Sequence, residues 1–251
     1  MWRRIASQFP RGPADFALQV LIWGGFVLLY QVARGVADRS TEAAFDNGRW
    51  IIDFEVRLHS LIELDLQNFV IDHDWLVHAL NWTYWLSQFA VVLVALLWSY
   101  FFFNDAFYGL RNWLIAANLI GLVGYVLVPT APPRMFPEEG FVDTLAQSSA
   151  LNHGTSLIQL AANPYAAMPS LHGADALIVG LVMASLVRPR WLKVIWLLWP
   201  PWVWFAVMAT ANHYWLDIAA GVGVAALAYL LLTRVRPWEL APPPVLAGRR
   251  W

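Results

Sequence analysis

The sequence predicts an all-α integral membrane protein: a six-transmembrane-helix bundle with an interfacial amphipathic helix and a long extracytoplasmic loop. Three observations predict it. Only 13% of the 251 residues are charged, about half the roughly 25% of a soluble domain. Hydrophobic residues make up 59% of the chain, and the mean hydropathy is +0.52. Apolar runs recur at roughly 16–35, 78–103, 109–129, 170–188, 191–212 and 214–233, each near the ~20 residues a bilayer core requires. Sixteen tryptophans suit two interfacial aromatic belts.

The first run follows the basic Met1-Trp2-Arg3-Arg4 and extends from about Phe16 to Val36. It is longer than the roughly 7–15-residue core of a cleaved signal, so it reads as a signal anchor that stays in the membrane. Between the first two spans, Ile51, Phe54, Leu58, Leu61 and Ile62 fall at helical spacing, with Asp53, Glu55, Arg57 and Glu63 between them. That pattern predicts an amphipathic helix lying at the interface, within Thr41 to about Asp74. Residues 130–169 form the longest stretch outside the spans and carry Pro132, Pro133, Pro137 and Pro164. Gly121, Gly124, Gly180, Gly221 and Gly223 are small residues that let helices approach closely, and Pro200-Pro201 inside the fifth span should bend it. No internal repeat or second domain is evident. Residues 1–236 read as one membrane domain, and 237–251, with Pro242-Pro243-Pro244, as a proline-rich cytoplasmic tail.

Charge sets the orientation. With the N-terminus inside, Arg3, Arg4, Arg11, Arg111, Arg188, Arg190, Lys193, Arg234, Arg236, Arg249 and Arg250 fall on the cytoplasmic side. Only Arg34, Arg39, Arg49, Arg57 and Arg134 fall outside. Both termini are therefore expected in the cytoplasm, with the proline-rich loop and the junction of spans five and six outside. A net charge of −1 provides no electrostatic case for a nucleic-acid partner. The absence of cysteine excludes disulfides, thiolate nucleophiles and cysteine-ligated metal.

Three ionisable groups stand at helix ends on the outer side. His172 lies in Pro169-Ser170-Leu171-His172, which opens the fourth span, and His213 closes the fifth, with Asp217 four residues on. The 41 residues between the histidines are the length of a helical hairpin, two crossings of about 20 residues each. The two should therefore meet at one membrane face. Each residue taken alone has an ordinary explanation, an interfacial hydrogen-bonding histidine or a helix-stabilising His–Asp pair. Together, at matched depth, they point to chemistry. Asp217, one helical turn from His213, is placed to accept its Nδ1 proton, fix the tautomer and leave Nε2 as a nucleophile. His172 shares the first turn of its helix with free backbone N–H groups, an anion site. Such a set suits phosphoryl transfer, with an in-line attacker, an acid for the leaving oxygen and donors for the equatorial oxygens. A metal site would need a further ligand, for which His153 is the one nearby candidate, and no metal or other cofactor is expected. A transporter with a His172–His213–Asp217 proton relay is the rival from another class, although transporter sites sit near the midplane.

Pro169-Ser170-Leu171-His172, followed by His213-Tyr214-Trp215-Leu216-Asp217-Ile218-Ala219-Ala220-Gly221, resembles the second and third signatures of the type 2 phosphatidic acid phosphatase superfamily. The resemblance covers about residues 120–225. It implies that His213 is the nucleophile that becomes a phosphohistidine, that Asp217 orients it, and that His172 protonates the leaving group without metal. The departures are specific. The family's first signature usually carries a lysine and an Arg-Pro pair, and a Ser-Arg pair precedes the third. Here Lys193 is the one lysine and Ala206-Val207 occupy the Ser-Arg positions. Thr130-Ala131-Pro132-Pro133-Arg134-Met135-Phe136-Pro137 stands in place of the first signature. With the other two motifs it looks like the inositol phosphorylceramide synthase branch, whose members transfer a phosphorylated head group between lipids.

On that resemblance Arg134 is the expected cationic phosphate clamp, its alternative being an interfacial anchor. Ser170, Tyr214 and Asn212 are further candidates for phosphate binding, and Asn163 and Tyr165 are possible neutral donors. The expected substrate is a lipid phosphate or diphosphate among the membrane lipids. Water as acceptor makes the protein a polyprenyl-diphosphate or phosphatidate phosphatase. An inositol or lipid hydroxyl makes it a transferase, the favoured reading. The loop side chains Phe141, Leu145, Leu151, Leu157 and Leu160 would then shield the intermediate from water.

Overall fold

The computed structural model describes residues 9–36, 40–147 and 163–234, and these are helical apart from turns and one isolated bridge. Helix α1 (Pro13–Val36) opens on a proline, which suits a first helical position, and carries Asp15 in its first turn. Helices α2 (Thr41–Arg57) and α3 (Ile62–Ile71) follow, then α4 (Asp74–Phe102), which is interrupted by a π-helical turn at Ser87–Val91. Helix α5 (Asn104–Leu127) precedes the loop. Helices α6 (Leu171–Leu186), α7 (Arg190–Ala209) and α8 (Trp215–Arg234) close the bundle.

Five of these helices, α1, α4, α5, α7 and α8, are long and apolar enough to cross a membrane. The span expected at 170–188 is the exception. Helix α6 has 16 residues, about 24 Å at 1.5 Å per residue, short of the ~30 Å hydrocarbon thickness. Its end has a local cause. Pro189 disfavours helical backbone at Arg188, and Val187 is already extended, at ψ 141°. Pro200 and Pro201 lie within a continuous α7.

Helix α6 is central, packed against α5, α7 and α8. Close approach at its N-terminal end depends on two glycines. A Cβ at Gly221 of α8 would collide with the Ser170 carbonyl oxygen, and one at Gly124 of α5 with the Pro169 ring. Gly223, expected to serve the same purpose, faces open space. At the opposite end of the bundle, Asp15 accepts hydrogen bonds from the hydroxyls of Tyr100 (2.9 Å) and Tyr108 (3.0 Å). Arg111 donates to Gln19 there. Helix α1 therefore starts where α4 ends and α5 begins, and it delivers Arg34 to the far face, beside the start of α6.

The segment between the first two spans departs from expectation. It forms two helices rather than one, separated at Leu58–Leu61, where His59 takes a left-handed φ of 51°. The bend changes the helical phase. Ile51 is buried as expected, whereas Leu58 and Ile62 are exposed. Glu55 and Glu63, expected on the wet face, are both 0% exposed.

Candidate active site

The chain reaches the site through three converging turns. After α5, Thr130 donates its N–H to the Tyr165 carbonyl (2.7 Å) and accepts from the Ala167 N–H (3.3 Å), which ties the two ends of the long loop together. Ala131 donates to the Ala44 carbonyl of α2, and Arg134 to the Ala211 carbonyl, both at 2.9 Å. Phe136 and Phe141 are buried against α2. The third turn follows α7. Ala211 adopts a φ of +55°, uncommon for a residue with a Cβ, and both Asn212 and His213 donate their N–H groups to the Val207 carbonyl. That strain reverses the chain so that His213 faces α6 instead of continuing α7.

The two histidines meet. Their ring centroids are 5.6 Å apart, with planes inclined by 55°. Behind His213, Nδ1 lies 3.0 Å from the Ala167 carbonyl oxygen and 3.4 Å from Asp217 Oδ2. Both are acceptors, so Nδ1 carries the hydrogen and Nε2 is left with its lone pair free. Asp217 is fully buried, and its Oδ2 also accepts the Tyr214 N–H at 3.0 Å. His172 sits one residue into α6. Its ring stacks on Tyr84 at 4.2 Å and 23°.

A cavity opens between the rings. His172 and His213 line it with Arg134, Asn212, Ala167 and Asn163, and from the spans come Arg34, Tyr84, Gln88 and Tyr125. Arg134 is held in place. Its Nη1 donates to Asn212 Oδ1 at 2.6 Å, and its Nε lies 3.7 Å from Asp143. Two of the expected phosphate donors are absent from the lining. Ser170 caps α6, its Oγ accepting the Gly173 N–H at 3.2 Å, and the Tyr214 hydroxyl donates to the Ala131 carbonyl at 3.3 Å. Tyr165 is likewise spent on structure, hydrogen-bonded to Thr41. Leu151, Leu157, Leu160 and His153 lie outside the described residues. Among those described, no group of three or more His, Asp or Glu side chains is arranged to hold a metal ion.

Several residues at this site gave no sequence signal. Glu55 and Glu63 accept the Leu216 and Trp215 N–H groups at the start of α8, where free N–H groups attract a carboxylate. Burial nevertheless raises both carboxyls above their ordinary range, and their mutual repulsion raises Glu55 further. Tyr84 and Gln88 lie among ordinary span residues in the sequence, and only the π-helical turn beginning at Ser87 marks the segment.

The family comparison agrees with this geometry. The family model described as the PAP2 superfamily matches residues 49–231, most of the chain and every residue of the His172–His213–Asp217 set. The chain belongs to the PAP2 superfamily. One curated member-like relative is the phosphoinositol dihydroceramide synthase of Bacteroides thetaiotaomicron, 29% identical over 126 residues. That match covers 45% of this chain and 41% of the relative, so the chain spans about two fifths of the length of the curated protein it matches. No solved structure matches. Val207, at one of the two positions where the resemblance expects a Ser-Arg pair, is buried in an apolar cluster and is absent from the cavity lining.

Proposed function

We propose that this PAP2-superfamily protein is a membrane lipid phosphotransferase that works through a phosphohistidine and passes a phosphorylated head group to an alcohol. His213 Nε2 attacks phosphorus with its lone pair, and the bond from phosphorus to the leaving lipid oxygen breaks. His172, protonated, gives its proton to that oxygen. In the second half His172 takes the proton of an acceptor hydroxyl, whose oxygen attacks phosphorus, and the P–N bond electrons return to His213. Asp217 and the Ala167 carbonyl hold the Nδ1 proton as positive charge develops on the ring. Arg134, anchored by Asn212, binds phosphate oxygens. The carrying observation is the pair of facing histidine rings with both acceptors behind Nδ1 of one of them.

The apposition of all three motifs at one end of the bundle supports six crossings, with α6 as the short one. The bias of basic residues toward the opposite end supports cytoplasmic termini and an extracytoplasmic site. The resemblance to a synthase supports an alcohol acceptor over water. Pre-steady-state trapping with a radiolabelled lipid phosphate donor tests both halves. Label should appear on the wild-type protein and be absent from His213→Ala. It should discharge faster when an inositol or a lipid alcohol is added. Discharge to free phosphate at one rate under every acceptor would favour the phosphatase reading, and no label at all would sink the phosphohistidine.

A further inference from the structure

Arg34 does not fit the bland reading of an arginine at the end of a span. Such a residue normally extends to the head-group layer, where water and lipid phosphates satisfy it. Here the side chain turns inward. It lines the cavity with His172 and His213, and its guanidinium lies 5.8 Å over the ring of buried Tyr125, another cavity residue. Its Nε is buried without a hydrogen-bond partner, and among the described residues it takes part in no ion pair.

The position is enforced by the rest of α1. Asp15 is anchored at the opposite face by Tyr100 and Tyr108. The nineteen residues from Asp15 to Arg34 span about 28 Å of helix, which sets Arg34 at the depth of the histidines. Arg34 is only partly buried, yet a guanidinium nitrogen shut from water without a partner is costly unless an anion meets the group. The other cavity arginine is already balanced, because Arg134 has Asp143 and Asn212 beside it. The uncompensated positive charge of the cavity therefore rests on Arg34.

We propose that Arg34 is a second phosphate-binding residue, contributed by the first helix, which grips the substrate phosphate together with Arg134 on the loop. The proposal builds on the phosphotransfer reading above and deepens it. Arginine and not lysine suits the task, since a planar fork matches two phosphate oxygens at once. Two guanidiniums from separate elements suit a phosphate with two oxygen edges to offer, as in a phosphodiester or diphosphate of a lipid. They also supply cationic charge in a chain that lacks the lysine and Ser-Arg usual for its superfamily.

The test is orthovanadate binding to the full chain in detergent, read by thermal shift and by inhibition of turnover, in wild type and in Arg34→Gln. Loss of a charge-assisted bond predicts a vanadate affinity lower by about 10- to 100-fold, with the unliganded melting temperature near that of wild type. Arg34→Lys should fall between the two. Arg34→Met, which keeps the apolar stem, replaces Arg34→Gln if the amide prevents folding. If neither folds, Arg34→Lys decides, and wild-type affinity in it overturns the proposal. Vanadate binding by Arg34→Gln as tight as by wild type overturns this proposal alone. Failure of wild type itself to bind vanadate would bring down the phosphotransfer reading, and this one with it.

Discussion

Nδ1 of His213 faces a carboxylate and a backbone carbonyl together, and the carbonyl is the closer of the two, at 3.0 Å against 3.4 Å. Tautomer control is thus shared, and loss of Asp217 would leave one acceptor in place while removing the negative charge that stabilises an imidazolium. Arg134 raises the complementary question of geometry against charge. Its Nη1 bond to Asn212 and the approach of Nε to Asp143 use the directions of a planar fork, which an ammonium does not reproduce. Arg134→Lys should therefore lower kcat/KM by roughly 10-fold or more, the scale of a lost charge-assisted bond, while the melting temperature stays near wild type. Steady-state kinetics beside a thermal melt measures both. Near-normal turnover would make Arg134 an interfacial anchor.

At the scale of elements, α2 and α3 are the bracket that holds the start of α8. Their paired carboxyls cap the N–H groups of Trp215 and Leu216, which directly precede Asp217. Glu55 Oε2 and Glu63 Oε2 are buried without a donor, and the charge of Glu63 bears on Glu55. Asp217 from α8 adds a third negative group facing the pair, and the Tyr214 side chain lies nearby. Burial and repulsion raise both carboxyls above the ordinary 4.5, so the folded protein binds more protons than the unfolded chain. The sign follows from linkage. This contribution to stability is fully present below pH 4.5 and is lost as pH rises through the raised values, across the neutral and mildly alkaline range. The melting temperature in detergent should accordingly fall between about pH 5 and about pH 9, and Glu55→Gln should flatten that slope. An unchanged slope in the variant would mean that the pair stays ionised.

For the molecule as a whole, the helices alternate so that one end collects the starts of α6 and α8 and the ends of α1, α5 and α7. The other end holds Arg11, Arg111, Arg190, Lys193 and Arg234. That separation of charge from chemistry gives a topological prediction. In right-side-out vesicles, a single cysteine at residue 134 should react with an impermeant maleimide, whereas one at residue 190 should react only after permeabilisation. The chain has no native cysteine to confuse the readout. Labelling of both residues from one side would invert or break the proposed arrangement.

The sequence by itself determined the helical class, five of the spans, and the meeting of His172, His213 and Asp217. Hydropathy over twenty residues and spacing along a helix are local or one-dimensional quantities, and a membrane forces them into a simple up-and-down geometry. Only the tertiary structure decided the rest. Glu55 and Glu63 turn inward because unsatisfied N–H groups on a distant helix need acceptors, a demand made 161 and 152 residues away. Ser170 and Tyr214 are drawn off by nearby backbone groups, and Arg34 enters the cavity because Asp15, at the other end of its own helix, is held by tyrosines of α4 and α5. In each case the deciding partner lies far off in the chain or belongs to the folded backbone, where no periodicity in the sequence records it.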